Sequence, residues 1–140
     1  MALIYFSSSS PIAQTYSKKI SIRCESFLES ECIIPEEELP SKNFRADVEA
    51  CDVLVVVIDS SVSDDSAYNL TDNERMRSEI ILAINRDILI VPILIDDAQL
   101  PEKNNAPGAL KKLVDCKSHR LRSAFWSEDM ETFLEHLEEE

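Results

Sequence analysis

Two β-branched apolar runs predict buried strands in the middle of this chain. Residues 53–58 read VLVVVI and residues 88–95 read ILIVPILI, and neither run alternates as a strand with one solvent-exposed face does. Each run therefore predicts a central strand that is covered on both faces. Such strands occur mostly in parallel sheets with helices on both sides, so the chain is restricted to an α/β architecture.

An amphipathic helix is predicted between the two runs. Thr71 and Glu74 have the T-x-x-E spacing of a capping box, so the helix should begin there and extend to about residue 86. Its apolar stripe consists of Met76, Ile80, Ala83 and Ile84. Glu79 lies about 90° from the centre of that stripe, a position that can be half buried and still reach a ligand.

Strands and helices also alternate in the rest of the chain. The remaining strands are predicted at residues 3–6, 32–34 and 117–121, and the remaining helices at 12–29, 43–50, 109–114 and 128–137. Together these elements predict one domain over residues 1–140, with a parallel sheet and helices on both faces. Ligands of such sheets bind at the carboxyl ends of the strands. The candidate site is therefore formed by the loops at residues 7–10, 35–42, 59–72 and 96–107.

Charge and composition exclude several classes of function. The 140 residues carry a net charge of -13, which opposes binding to the phosphates of nucleic acid. No apolar run approaches the roughly 20 residues that a membrane helix requires. The only glycine is Gly108, so no glycine-rich phosphate loop is present. We expect a cytoplasmic protein that binds neither nucleic acid nor a membrane.

The cysteines offer no metal or redox motif. Their spacing contains no C-x-x-C pair, and no signal peptide precedes them; they are Cys24, Cys32, Cys51 and Cys116. We expect reduced cysteines in the core and no metal site.

Three familiar chemistries of α/β proteins fit these residues poorly. The serines at residues 7–10 lie where a flavin-phosphate loop would lie, but they include no glycine to bring backbone amides close to a phosphate. A phosphoacceptor domain would need acidic residues after Phe6 to hold magnesium. A hydrolase triad would need a histidine near a nucleophile, and the chain offers only His119 and His136, both of which we expect to be structural or solvated.

A single carboxylate is sufficient for the cleavage of an N-glycosidic bond whose leaving group is already cationic. Nicotinamide departs from NAD in this way, through an oxocarbenium-like ribose that a nearby anion stabilises. Glu79 is the candidate for that anion. The alternative is that Glu79 is a surface residue paired with Arg75, which is the usual role of a helical glutamate.

Four blocks of sequence in order cover nearly the whole chain. They are IYFSSSS at residues 4–10, FRADVEACDVLVVVIDSS at 44–61, RSEIILAINRDILIVPILID at 77–96, and LPEKNNAPGALKKL at 100–113 with SHRLR at 118–122. In this order they resemble the TIR (Toll/interleukin-1 receptor) domain, and within it the bacterial, NAD-cleaving branch. The resemblance implies a flavodoxin-like three-layer α/β sandwich whose five-stranded parallel sheet has the order 2-1-3-4-5.

The resemblance also implies a function. Many bacterial and plant members are NAD glycohydrolases that release nicotinamide with ADP-ribose or a cyclic variant, often in antiphage defence, and their catalytic glutamate corresponds to Glu79. NAD is then the substrate, and no cofactor is implied. Activation by self-assembly through TIR–TIR contacts, as a homo-oligomer or filament, and a downstream effector protein are also implied. Other members are noncatalytic adaptors that act through homotypic TIR–TIR contacts, which is the alternative function.

Further site residues follow from position within the resemblance. The candidates for ribose or phosphate contacts are Ser7, Ser8 and Ser9. Arg75 and Lys42 are further candidates for substrate binding. Family members often carry an aromatic residue where this chain has Arg75, so stacking on the substrate must change or come from elsewhere. The loop at residues 35–42 carries three glutamates and lacks the usual glycine, which predicts weaker assembly or a basic partner surface.

Overall fold

A parallel β-sheet between two layers of helices forms the body of the protein. The structure is a computed structural model that describes residues 3–8, 11–28, 31–33, 48–58, 74–96, 116 and 118–139. Within these residues the order is β1 (Leu3–Ser8), α1 (Pro11–Leu28), β2 (Glu31–Ile33), β3 (Val53–Ile58), α2 (Glu74–Asn85), β4 (Leu89–Ile95), β5 (His119–Leu121), a 3-10 helix (Ser123–Phe125) and α3 (Trp126–Glu139). Residues 48–50 are also helical.

The strands pair in parallel in the order β2-β1-β3-β4-β5, which makes five strands in the described part of the chain. In the shared register Tyr5 of β1 aligns with Leu54 of β3, and Leu54 aligns with Ile90 of β4. The strand order reverses at β1, because β2 lies on one side of it and β3 on the other. The predicted fold class, a flavodoxin-like α/β sandwich with order 2-1-3-4-5, is confirmed.

Successive side chains of β1, β3 and β4 pack into two separate cores, one on each face of the sheet. The first core lies between the sheet and α2; it includes Tyr5, Leu54, Val56, Ile58, Ile80 and Ala83. The second lies between the sheet and helices α1 and α3; it includes Phe6, Val55, Ile20, Cys24, Met130 and Phe133. All residues of β3 are buried, as the run VLVVVI predicts.

The observed elements differ from the predicted ones mainly at their ends. β1 continues through Ser8 rather than ending at residue 6, so two of the serines expected in a loop belong to the strand. The ladder continues because parallel pairing uses backbone groups, and Ser7 and Ser8 align with Val56 and Val57 of β3. The helix predicted at residues 109–114, most of that at 43–50, and the capping residue Thr71 lie outside the described residues.

Asp96 connects the end of β4 to the start of the 3-10 helix. Its carboxylate accepts hydrogen bonds from the backbone N–H of Ser123 at 2.6 Å and from the Ser123 hydroxyl at 2.7 Å. Its carbonyl accepts a hydrogen bond from the guanidinium of Arg120. The backbone of Asp96 is left-handed, with φ 52°, a conformation that aspartate tolerates better than most residues. The two bonds from Ser123 lower the pKa of Asp96 below its ordinary value of 3.8.

Asp96→Asn is expected to weaken the acid dependence of stability. Because the folded-state pKa is lowered, the ionised carboxylate contributes stability above its ordinary pKa, and that contribution is lost as pH falls through the folded-state value. Thermal unfolding between about pH 7 and about pH 2 measures the effect. The control is Asp87→Asn, which removes the same charge at another positive-φ aspartate, with φ 55°. If the unfolding temperatures of the two variants fell equally at acid pH, the role assigned to Ser123 would be contradicted.

Candidate functional site

Ser7 and Glu79 form a buried hydrogen bond between β1 and α2. The hydroxyl of Ser7 donates to Oε1 of Glu79 at 2.8 Å, across a sequence separation of 72 residues. Both residues are fully buried, with 0% of their surface exposed. Burial of a carboxylate is costly unless hydrogen bonds compensate it, so the Ser7 hydroxyl offsets part of that cost. The pair therefore contributes to the docking of α2 on the sheet.

The alternation of β1 directs Ser7 toward α2. Ile4 and Phe6 belong to the core below α1 and α3, whereas Tyr5 belongs to the core below α2. Ser7 lies on the same face of β1 as Tyr5, since residues i and i+2 of a strand share a face. It lies near the carboxyl end of β1, beside the position where the strand order reverses. Folds of this type bind their ligands at that position.

The periodicity of α2 directs Glu79 toward the sheet. Ile80 and Ala83 form the buried face of the helix. Glu79 lies four residues before Ala83, so the two share one side of the helix. The sequence predicted a half-buried Glu79, whereas the side chain has no exposed surface, so this prediction is wrong in the extent of burial. The alternative that Glu79 is a surface residue is also wrong.

The remaining predicted site residues are described only in part. Ser8 is the last residue of β1, and Arg75 lies in the first turn of α2. Their backbones are described, whereas Ser9 and Lys42 lie outside the described residues. The structure thus brings together two of the six predicted residues, Ser7 and Glu79. The contacts of the other four stay predictions.

Sequence reasoning did not single out Tyr5 as a neighbour of the site. Tyr5 precedes Ser7 on the same face of β1 and is 1% exposed. It packs in the same core as Ile80, which follows Glu79 in α2. The alternation of β1 would have predicted this placement if the strand had been extended through the serines. Tyr5 thus belongs to the core between the sheet and α2, on the face of β1 that carries Ser7.

The two histidines take part in the packing of α3 against β5. The rings of His119 and His136 have centroids 4.5 Å apart, and His119 packs edge-on against Phe133 at 5.5 Å. This packing agrees with the structural role expected from the sequence. Among the described residues, no group of three or more His, Cys, Asp or Glu side chains is arranged to hold a metal ion.

The described helices include none that is both long enough and apolar enough to cross a membrane. This finding concerns α1, α2, α3 and the short helical segments only.

Comparison with solved structures relates the fold to TIR domains. The chain matches the TIR domains of the activated Roq1 resistosome with a TM-score of 0.66. That resistosome directly recognises the pathogen effector XopQ. The match covers 98% of this chain and 99% of that chain at 11% sequence identity. No protein-family model matches the chain, and no curated protein matches it either. At this identity the likeness shows a shared flavodoxin-like α/β fold, and function has to be argued from the site.

Proposed function

We propose that this chain is an NAD glycohydrolase that cleaves the nicotinamide–ribose bond of NAD, with Glu79 as its catalytic carboxylate. The observation that carries the proposal is the bond from Ser7 to Glu79, which holds a carboxylate in an apolar setting near the carboxyl end of β1. The TIR-like fold supports it, since the sequence resemblance assigns the catalytic glutamate to the same residue.

The proposed reaction needs a fixed negative charge and no proton donor for the leaving group. The bond between C1′ of the ribose and the pyridinium nitrogen breaks, and both electrons pass to that nitrogen, so nicotinamide leaves as a neutral molecule. Positive charge develops on the ribose, where the carboxylate of Glu79 stabilises it. Water then adds to C1′ and loses a proton to solvent, which gives ADP-ribose. Apolar surroundings strengthen this electrostatic effect relative to water.

Access to Glu79 requires a change in the residues that cover it. The carboxylate is fully buried in this conformation, so NAD can reach it only when part of that cover moves. We propose that self-association through TIR–TIR contacts favours the open state, since a contact that binds one conformation better shifts the population toward it. The structural relative comprises the TIR domains of an activated resistosome, which supports this part of the proposal.

The proposed setting is antiphage defence signalling in the cytoplasm. Cleavage of NAD in that setting either depletes the cofactor of many other enzymes or produces a signal for a downstream effector protein. The substrate-binding roles of Ser7, Ser8, Ser9, Arg75 and Lys42 belong to the same proposal.

A noncatalytic interaction module is the second candidate function. The observation that favours it is the complete burial of Glu79, because a carboxylate that only fastens α2 to β1 needs no access to solvent. In that case the chain acts through homotypic TIR–TIR contacts alone.

Nicotinamide release separates the two functions. The chain is incubated with NAD over a wide range of protein concentration, release is followed by chromatography, and assembly is followed by light scattering. The enzyme proposal expects release that rises more steeply than protein concentration, because the active species is an assembly. Assembled protein that releases no nicotinamide would exclude the enzyme and leave the interaction module.

Ser7→Ala is expected to lower kcat about tenfold, because Glu79 loses a positioning hydrogen bond worth roughly 1.4 kcal/mol. An increase in KM would report the substrate contact that the sequence predicts for Ser7. The variant should also lose about 1–3 kcal/mol of stability, since a buried carboxylate loses a donor. Steady-state kinetics and denaturant unfolding measure the two effects.

Ser17→Ala provides the matched control for this variant. Ser17 is also fully buried, and its hydroxyl donates to the carbonyl of Ala13 at 3.1 Å within α1. Its loss should affect stability and leave kcat unchanged. Equal kcat values for the Ser7 and Ser17 variants would remove Ser7 from the site.

A further inference from the structure

Cys24 of α1 and Cys32 of β2 are neighbours where the helix packs against the strand. Cys24 is fully buried in the core below α1 and α3, and Cys32 is a partly buried residue packed against the same core. The Cys32 thiol donates to the carbonyl of Ser21 at 3.8 Å. Ser21 lies about one helical turn before Cys24, so this contact places the Cys32 sulfur along the face of α1 that carries Cys24. Both cysteines are reduced.

The two thiols differ in exposure: Cys24 is buried, and Cys32 is partly exposed. Two effects raise the pKa of Cys24: the larger is its hydrogen-bonding contact with the Cys32 thiol, and the smaller is burial. Cys24 therefore keeps its proton, and the core shields its sulfur from solvent. Cys32 is partly exposed, so a small oxidant can reach it. An accessible thiol beside a second thiol is the arrangement in which oxidation ends in a disulfide.

We propose that Cys24 and Cys32 form a reversible disulfide, which makes this pair an oxidation site independent of the proposed NAD chemistry. The oxidant is a hydroperoxide. The Cys32 sulfur attacks hydrogen peroxide, an S–O bond forms as the O–O bond breaks, and one water leaves. The Cys24 sulfur then attacks Cys32, the S–S bond forms as the S–O bond breaks, and the proton of Cys24 leaves with hydroxide as a second water. A small dithiol reverses the reaction by exchange.

The other cysteines differ from this pair in setting. Cys51 is buried on the opposite face of the sheet, where its thiol donates to the carbonyl of Val48 at 3.0 Å. Burial raises the pKa of Cys51 to about 11, and burial also raises that of Cys24, so the pKa does not distinguish the two thiols. What distinguishes the pair is the contact between Cys24 and the partly exposed thiol of Cys32. Cys116 is partly buried, as Cys32 is, but it packs against the core that contains Cys51. Cys116 is therefore a control with similar exposure on the other face.

The disulfide would join α1 to an edge strand. β2 is short, spanning Glu31–Ile33, and among the strands that the structure describes it pairs with β1 alone. A covalent link to α1 restricts the unfolded chain and holds this strand against the helix. Oxidation should therefore raise the thermal stability of the chain, and reduction should return it to the starting value.

Peptide mass measurement tests the proposal on the full chain. Cleavage after Arg23 and Lys42 releases one peptide, residues 24–42, that contains both cysteines. After treatment with hydrogen peroxide and alkylation of free thiols, this peptide should lack two hydrogen atoms and carry no alkyl group. A dithiol should restore two alkylated cysteines. This measurement requires no substitution, so it does not depend on the folding of a variant.

Two variants sharpen the test. Cys116→Ser should keep the oxidised peptide and the rise in unfolding temperature, whereas Cys32→Ser should lose both. The proposal is overturned if Cys24 and Cys32 stay alkylatable under conditions that oxidise Cys116. Conversion of Cys32 to a sulfinic acid, or cross-links between copies in place of the internal disulfide, would also overturn it.

Discussion

Glu79→Gln is expected to reduce nicotinamide release at least about a hundredfold and to leave the fold intact. Glutamine has nearly the shape of glutamate, and its side-chain oxygen can still accept the hydrogen bond from Ser7, which measures 2.8 Å to Oε1 in the parent chain. Only the negative charge is removed. A hundredfold loss corresponds to about 2.7 kcal/mol of transition-state stabilisation, a magnitude typical of one preorganised electrostatic group.

Glu135→Gln is the matched control for this substitution. Glu135 lies on the exposed side of α3, and its replacement makes the same change of charge away from the site. The Glu79 variant should unfold at or above the parent temperature, since a buried charge rarely stabilises a fold more than a neutral isostere does. The Glu135 variant should unfold near the parent temperature, because its side chain is exposed. Equal release by the two variants would end the enzyme proposal. A Glu79 variant that is inactive only because it is unfolded would be recognised by circular dichroism.

Phe133→Ala is expected to cost about 3–5 kcal/mol of unfolding free energy, the largest stability effect among the changes considered. Phe133 is fully buried in the core between α3 and the sheet, and its ring packs against His119 at 5.5 Å. Truncation removes an aromatic side chain and leaves a cavity that the surrounding strands fill only in part. Urea unfolding should show a lower midpoint with an unchanged slope.

Thr132→Ala tests whether this effect is specific to the buried face. Thr132 precedes Phe133 on the exposed side of α3, and its hydroxyl bonds the carbonyl of Glu128 at 3.2 Å. The change should cost less than about 0.5 kcal/mol. Nicotinamide release per folded molecule should be the same for both variants at low temperature. A Phe133 variant as stable as the Thr132 variant would contradict the packing of α3.

The central sheet was predictable because its signal is local. The runs at residues 53–58 and 88–95 are apolar at every position or nearly so, and the corresponding strands are buried on both faces. The length of β1 was not predictable in this way. Its last residues are serines, and what keeps them in the strand is backbone pairing with β3 rather than any property of their side chains.

The contact between Ser7 and Glu79 was not predictable from the sequence. Glu79 was a candidate from its place in the helix and Ser7 from its place in the family resemblance, yet helical periodicity does not reveal what the neighbouring strand presents to the helix. The contact between them, and the complete burial of both, depend on the docking of α2 against β1. The neighbouring thiols of Cys24 and Cys32 are likewise a product of packing, because their spacing matches no redox motif.

The bond between Ser7 and Glu79 also makes the site a late product of folding. Its two ends lie 72 residues apart, so a growing chain carries the serine long before the carboxylate has been synthesised. Contacts of such large sequence separation form slowly, because the intervening loop must close first. A fragment that ends before α2 contains the hydroxyl without its acceptor. Any activity that depends on Glu79 should therefore appear only with the completely folded domain.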